Sequence, residues 1–261
     1  MTSVTVGLIQ LDCSDKETPE ARTTRALEMT NDTAGDVDLV LLPELWQAGA
    51  FNMAAIKECA TAVDSTLTNE FRKIAVRHGT WIHAGSLVEQ VGEQLFNTAV
   101  VIDPSGAITS TYRKIHLYGF DQGEATTMTA GSDVVVADTL LGPTGISTCY
   151  DLRFPELYRH QDDRGAQTFL IASGWPDKRI EHWRTLLRAR AIEDQAFVLG
   201  CNAVGRHAGV TMGGHSAVIA PNGDVIAEGS GVREEVVSAT VDLSLIDSLR
   251  SSHPWLKDRK L

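Results

Sequence analysis

Two stretches of this chain, VDLVLLPE (37–44) and TFLIAS (168–173), are nearly unbroken apolar runs of strand length. A strand with one wet face alternates polar and apolar residues. A strand with no polar beat is covered on both faces, as in sheets sandwiched between other layers. The chain must therefore supply layers to cover these strands, and the rest of its pattern does so. VTVGLIQL (4–11) reads as a first strand, 18–34 as a helix with Pro19 near its start and Gly35 as its stop, and 53–62 and 66–78 as helices ahead of Gly79. TWIHAGSLVE, FNTAVVID and AITSTYRKI follow as strands, the last two joined by the turn PSG (104–106). Residues 116–131 read as irregular.

In the second half, DVVVADT and GISTCY read as strands, PELYRHQDDRG as a helix ended by Gly165, and 178–195 as another helix. AFVLGCNAV, HSAVIAP and DVIAEGS read as strands, with PNG (221–223) as a hairpin turn. VVSATVDLSLI closes the regular part, and RSSHPWLKDRKL is expected to be a polar tail. Alternating helices and strands, with hairpins in both halves, predict a mixed α/β layered fold. No linker or composition break divides the chain, so 1–261 is expected to form one domain.

Charge narrows the function classes. Lys plus Arg number 23 against 34 Asp plus Glu, a net charge of −11. Such a surface repels nucleic-acid backbones and anionic membranes, so neither is an expected partner. The N-terminal segment lacks a basic leader and a long apolar stretch, and no span suits a membrane helix. Cys13, Cys59, Cys149 and Cys201 form no CxxC pair or disulfide framework, which suits a reduced cytoplasm.

Three places carry potential chemistry. In LLPELWQAG, Glu44 follows an apolar strand and sits among Leu42, Leu45 and Trp46, where desolvation would make its carboxyl a usable proton acceptor. Its plain alternative is an exposed Glu at a helix start. In YRKIHLYGF, Lys114 near a strand end could stabilise a developing oxyanion, or could simply snorkel off an edge strand. In GISTCYDLRFPE, Cys149 stands between a strand and a helix, where it is either a buried hydrophobe or a nucleophile. A nucleophilic thiol needs a lowered pKa or an adjacent base. The Tyr150 amide could point toward an oxyanion. The remaining cysteines read as core. His182 and His215 could line a cleft, but no HExxH or His/carboxylate cluster indicates a metal, and GGH (213–215) is not a phosphate loop.

Taken together, in the order Glu, Lys, Cys, these stretches resemble the nitrilase superfamily of carbon–nitrogen hydrolases. The resemblance runs through LLPELW, YRKIHLYGFDQGE, CYDLRFPELYR, HWRTLLRARAIEDQAFVLGCNAVG and GHSAVIAPNGDVIAE, and covers most of residues 4–245. It implies a four-layer α-β-β-α sandwich, usually a homodimer through its α faces. It also implies a Glu44–Lys114–Cys149 catalytic set without metal or organic cofactor, and a second glutamate, for which Glu124 occupies the matching place. CYDLRFPE, RARAIEDQA and SGWP (173–176) look most like the omega-amidase and Nit-type amidase branch. Members of that branch release ammonia from omega-amides of short dicarboxylates such as 2-oxoglutaramate. Such an enzyme must hold a carboxylate, for which Arg153 is a candidate, with a structural ion pair as the alternative role. Arg206 or His207 in VGRHAGVT could instead line the mouth, and Trp175 in SGWP is a further candidate for substrate contact. Rival readings keep the nucleophile but change the substrate to a nitrile, an N-carbamoyl compound or deaminated glutathione. Another makes the chain a catalytically idle scaffold.

Overall fold

The computed structural model describes residues 3–119 and 123–260. The first strands are β1 (Ser3–Gln10), β2 (Leu39–Leu41), β3 (Trp81–Val91), β4 (Gln94–Ile102) and β5 (Ile108–Arg113). Then come β6 (Val136–Thr139), β7 (Gly142–Thr148), β8 (Thr168–Ser173) and β9 (Phe197–Asn202). A small ribbon, β10 (Arg206–His207) with β11 (Val210–Thr211), precedes β12 (Ala217–Ile219), β13 (Val225–Glu228) and β14 (Glu235–Asp242). The helices are α1 (Pro19–Ala34), α2 (Met53–Glu58), α3 (Thr66–His78), α4 (Glu124–Thr127), α5 (Pro155–Asp163), α6 (Ile180–Asp194), α7 (Ser244–Ser252) and α8 (Trp255–Asp258).

The strands form two six-stranded sheets, ordered β14-β1-β2-β3-β4-β5 and β13-β12-β9-β8-β7-β6. Each has three parallel strands at its centre, β1, β2, β3 in one and β7, β8, β9 in the other, flanked by antiparallel neighbours. The run LVL of β2 shows why these strands have no polar beat. Leu39 and Leu41 join the core shared with Ile146, Phe169 and Ile171 of the opposite sheet, whereas Val40 joins the core under α1 and α3 with Ala26, Phe71 and Ala75. On the other flank, Tyr158 of α5 and Trp183, Leu187 and Ala191 of α6 cover the second sheet. The architecture is the four-layer α-β-β-α sandwich of the nitrilase type.

Local chemistry sets the element ends. Thr18 caps α1 at the Ala21 amide and Pro19 opens it; Ser65 caps α3, which stops at Gly79 in the left-handed region (φ 68°). Three expectations shift. The helix begun at Met53 ends at Glu58 rather than 62, because Thr61 pairs with Glu89 as a bridge beside the first sheet. The strand in VVSATVDLSLI ends at Asp242, whose carboxylate accepts from the Ser244 amide (3.0 Å) and hydroxyl (2.7 Å) and turns Leu245 and Ile246 into α7. The C-terminal segment is docked rather than trailing: Arg250 donates to the carbonyls of Ala166 and Asp194, and Arg259 pairs with Asp162 at 2.7 Å.

Candidate active site

Parallel strands present their following loops outside their carboxyl ends, and ligands gather there. Here such ends from both sheets meet. Glu44 follows β2, Cys149 follows β7, Gly174 follows β8, and Lys114 follows the antiparallel strand β5. The turn that aims Glu44 is tightly specified. Leu45 takes a left-handed φ of 42°, and its amide donates to Ser86 Oγ at 3.0 Å. A Cβ on Gly85 would lie 2.0 Å from the Pro43 carbonyl oxygen, so only glycine lets β3 pass this turn. Cys149 also lies in the left-handed region, at φ 46°, on the first residue of a 3₁₀ turn that leads to Pro155 and α5. A non-glycine residue is held there only when its surroundings over-determine it, and such strain clusters at functional positions.

Glu44, Lys114, Glu124 and Cys149 line one cavity of about 590 Å³. The Lys114 ammonium lies 2.6 Å from Glu44 Oε1 and 2.7 Å from Glu124 Oε2. All three side chains are at least 95% shielded from solvent. Asn97 Nδ2 donates to Glu44 Oε1 at 2.9 Å and to Glu124 Oε1 at 2.6 Å. The Gly174 amide donates to Glu44 Oε2, and the Tyr118 amide to Glu124 Oε2, both at 2.9 Å. Cys149 and Glu44 line the same cavity, close enough for the Glu44 carboxyl group to act on the thiol electrostatically.

Burial alone would push the Lys114 ammonium down, but the Glu124 and Glu44 carboxylates outweigh it and hold its pKa well above the ordinary value. Burial raises the Glu124 carboxyl; Lys114 opposes this and Glu44 adds to it. Burial pushes the Cys149 thiol up, and the Glu44 carboxylate pushes it further, against a smaller opposing pull from Lys114. The net direction for the thiol is upward, so a reactive Cys149 needs a base beside it rather than a lowered pKa.

The other candidates divide. Tyr150, Arg153 and Trp175 line the same cavity. The Arg153 guanidinium lies 4.6 Å from the Trp175 ring centre and 3.3 Å from His182 Nδ1. Among the described residues no carboxylate lies within 4.0 Å of it, so the ion-pair alternative has no described partner. Arg206 is exposed on the β10–β11 ribbon and does not line this cavity; neighbouring Ala208 and Val210 do. His207 is buried behind the wall, its Nε2 accepting from the Phe51 amide at 3.4 Å. His215 pairs with Glu228 at 2.9 Å, away from the cavity. Cys13 and Cys201 are buried, and Cys201 donates to the Ile9 carbonyl at 3.2 Å. Among the described residues no group of three or more His, Cys, Asp or Glu side chains is gathered as a metal site.

Sequence reasoning missed Asn97, Tyr118 and Arg179. Arg179 lines the cavity and donates to the Tyr118 hydroxyl at 3.0 Å, while Tyr118 and Phe51 meet edge-on at 5.7 Å to form a wall. Asn97 carried a usable signal. It is an amide inside the apolar strand FNTAVVID, and a polar side chain on a buried strand must find a partner. Arg179 and Tyr118 stand in loops with no such contrast.

A half-buried thiol, a carboxyl group and a fixed ammonium lining one cavity are the parts of a cysteine-dependent amidohydrolase. Residues 5–251 match the family model described as carbon-nitrogen hydrolase. The chain is 38% identical to the 2-oxoglutaramate amidase of Paenarthrobacter nicotinovorans, over 98% of this chain and 89% of that protein. It is 34% identical to the 2-oxoglutaramate amidase of Bacillus subtilis, over 97% and 96%. It also superposes with a TM-score of 0.91, at 30% identity and over 100% and 98% of the two chains, on a carbon–nitrogen hydrolase superfamily protein from Xanthomonas campestris described with an arsenic adduct in its active site. The chain belongs to the carbon–nitrogen hydrolase family, within the omega-amidase and Nit-type branch of the nitrilase superfamily.

Proposed function

We propose that this protein is an omega-amidase, releasing ammonia from the terminal amide of a short dicarboxylic monoamide such as 2-oxoglutaramate. Cys149 is the nucleophile. Glu44 takes the thiol proton as sulfur attacks the amide carbonyl, and the Lys114 ammonium and Tyr150 amide stabilise the oxyanion of the tetrahedral intermediate. Glu44 returns the proton to nitrogen, the C–N bond breaks, and ammonia leaves a thioester on Cys149. Glu44 then takes a proton from water, which attacks the thioester, and the acid and the thiol are released. Glu124 holds Lys114 in place. A homodimer in the cytoplasm is part of the same proposal.

The observation that carries the substrate class is Arg153. Its guanidinium lines the cavity that holds Cys149, stacked over Trp175 and without a described acidic partner. A guanidinium so placed matches a carboxylate in a two-pronged fashion, and two relatives described as 2-oxoglutaramate amidases support the same choice. The test is ammonia release over a panel of 2-oxoglutaramate, an uncharged aliphatic amide of the same length, nitriles and N-carbamoyl compounds, with wild type and Arg153→Ala. Arg153→Ala should raise KM for 2-oxoglutaramate at least tenfold and leave KM for the uncharged amide within about threefold. Equal losses on both amides would remove Arg153 as the anchor, and a wild-type preference for the nitriles would sink the omega-amidase assignment.

A further inference from the structure

The site holds two carboxylates and one ammonium, so Lys114 alone cannot satisfy every oxygen. Glu44 Oε1 accepts from both Lys114 Nζ at 2.6 Å and Asn97 Nδ2 at 2.9 Å, while Oε2 accepts one described donor, the Gly174 amide at 2.9 Å. A carboxylate oxygen has about two acceptor sites. Oε1 is therefore filled, and Oε2 keeps capacity for one more proton, in the cavity that Glu44 and Cys149 both line. The second hydrogen of the same Asn97 amide goes to Glu124 Oε1 at 2.6 Å, so one planar group spans both glutamates. Asn97 itself is fixed by its strand, because the Lys114 main-chain amide donates to the Asn97 carbonyl at 2.9 Å. Asn97 is buried, so the bridge is shielded from bulk solvent.

We propose that Asn97 is a positioning residue of the hydrolytic reaction, acting through Glu44: by occupying Oε1 it directs the thiol proton to Oε2, and by holding Glu124 it keeps Lys114 centred between the two carboxylates. The inference rests on the proposed role of Glu44 as the base. The groups facing Glu44 are Lys114 after β5, Glu124 on α4, Cys149 after β7, the Gly174 amide after β8 and Asn97 on β4. A hydrogen bond donated to an ionised carboxylate favours that form. Removing the Asn97 donor therefore makes the site take up a proton at higher pH, and the acid limb of the pH–rate profile moves up.

The experiment uses the full chain and the variants Asn97→Leu, which keeps bulk without a donor, and Asn97→Asp, which keeps shape but adds a third acid. Steady-state kinetics with 2-oxoglutaramate and the pH dependence of Cys149 alkylation by iodoacetamide are measured together, with thermal melts as the check on folding. The expected result is a fall in kcat of about 10- to 100-fold with KM within about threefold, and acid limbs of both profiles displaced upward by about one pH unit in Asn97→Leu. If both variants keep the wild-type acid limbs and lose only thermal stability, Asn97 is structural and the proposal fails. If wild type does not turn over 2-oxoglutaramate, the substrate assignment falls, and the alkylation profiles, which need no substrate, still decide the role of Asn97.

Discussion

Replacing Asp151 with Asn tests what holds the nucleophile turn in its strained shape. Asp151 is fully buried and accepts four hydrogen bonds: Oδ2 from the Tyr112 hydroxyl at 2.7 Å and the Thr148 amide at 3.0 Å, Oδ1 from the His116 amide at 3.0 Å and His116 Nδ1 at 2.8 Å. Thr148 directly precedes Cys149. Tyr112 and His116 flank Lys114 by two residues on either side, and the Tyr112 hydroxyl also accepts from the Ile115 amide at 3.2 Å. One carboxylate thus ties the lysine segment to the turn that keeps Cys149 at φ 46°. In Asp151→Asn, one oxygen becomes an NH₂. Whichever way the amide turns, one main-chain amide, of Thr148 or of His116, faces a donor and loses its acceptor. That costs roughly 1–3 kcal/mol for the orphaned group, and loss of charge assistance in the remaining bonds brings the total to about 3 kcal/mol. For a domain of this size that corresponds to a fall in Tm of roughly 6–12 °C. Displacing the turn by an ångström costs about 100-fold in rate, so kcat should fall by that order with KM little changed. Calorimetry and an ammonia-release assay read both quantities. A variant with Tm within about 2 °C of wild type and an unaltered kcat would refute the tie between the two segments.

Two further outcomes follow from the geometry. Cys149→Ala should abolish ammonia release while keeping its circular dichroism, whereas Cys201→Ala, altering a core sulfur bonded to the Ile9 carbonyl, should retain most of it; undiminished release by Cys149→Ala would rule this thiol out as the nucleophile. His207 sits behind the cavity wall with its pKa lowered from 6.5 to about 4, first by burial and then by Arg22. Its unfolded form binds a proton between those values and its folded form does not, so its contribution to stability is present above pH 6.5 and is lost as pH falls toward 4. Comparing wild type with His207→Phe by urea unfolding at pH 7.5 and pH 4.5, the stability gap should move by about 3 kcal/mol in favour of the variant at low pH. A gap that stays constant between the two pH values would show that His207 does not titrate in this window.

What could be read from the sequence divides along physical lines. The sandwich was legible because burial on both faces leaves a local trace: LVL and TFLIAS lack the alternation that a half-wet strand must show. The position of Glu44 was legible for the same reason, since the apolar run VDLVLL stops just before it; Lys114 and Cys149 were read inside the ends of AITSTYRKI and GISTCY, which carry no such run, and lie one residue past β5 and β7. Their convergence was not legible from periodicity. Glu44 and Lys114 stand 70 residues apart and touch only because β2 and β5 belong to one sheet with fixed order, and Cys149 arrives from the other sheet; family resemblance, rather than pattern, joined the three. The Arg153 position was open between an ion pair and an anchor, because the partner of an arginine is decided by tertiary packing. The run LSLI misled for a different reason: its apolar residues fit a strand, but Asp242 terminates the strand through a short-range bond to Ser244 that hydrophobic pattern does not register.

The electrostatics of the assembled site explain why it needs a base rather than an acidic thiol. Two carboxyl groups face one ammonium in this buried cluster, and a free thiolate at Cys149 would place a further negative charge there. In a medium from which water is largely excluded, that further charge is strongly disfavoured, which is the direction in which the thiol is pushed. In the proposed mechanism, proton transfer from sulfur to Glu44 changes this balance, since it would move negative charge from the carboxylate to sulfur without adding any to the cluster. As sulfur bonds to carbon, the charge passes to the carbonyl oxygen, which Lys114 is placed to meet. The cost of ionising sulfur is thus deferred until a substrate is present to accept the charge. The same arrangement protects an empty site, because a thiol that stays protonated alkylates and oxidises slowly.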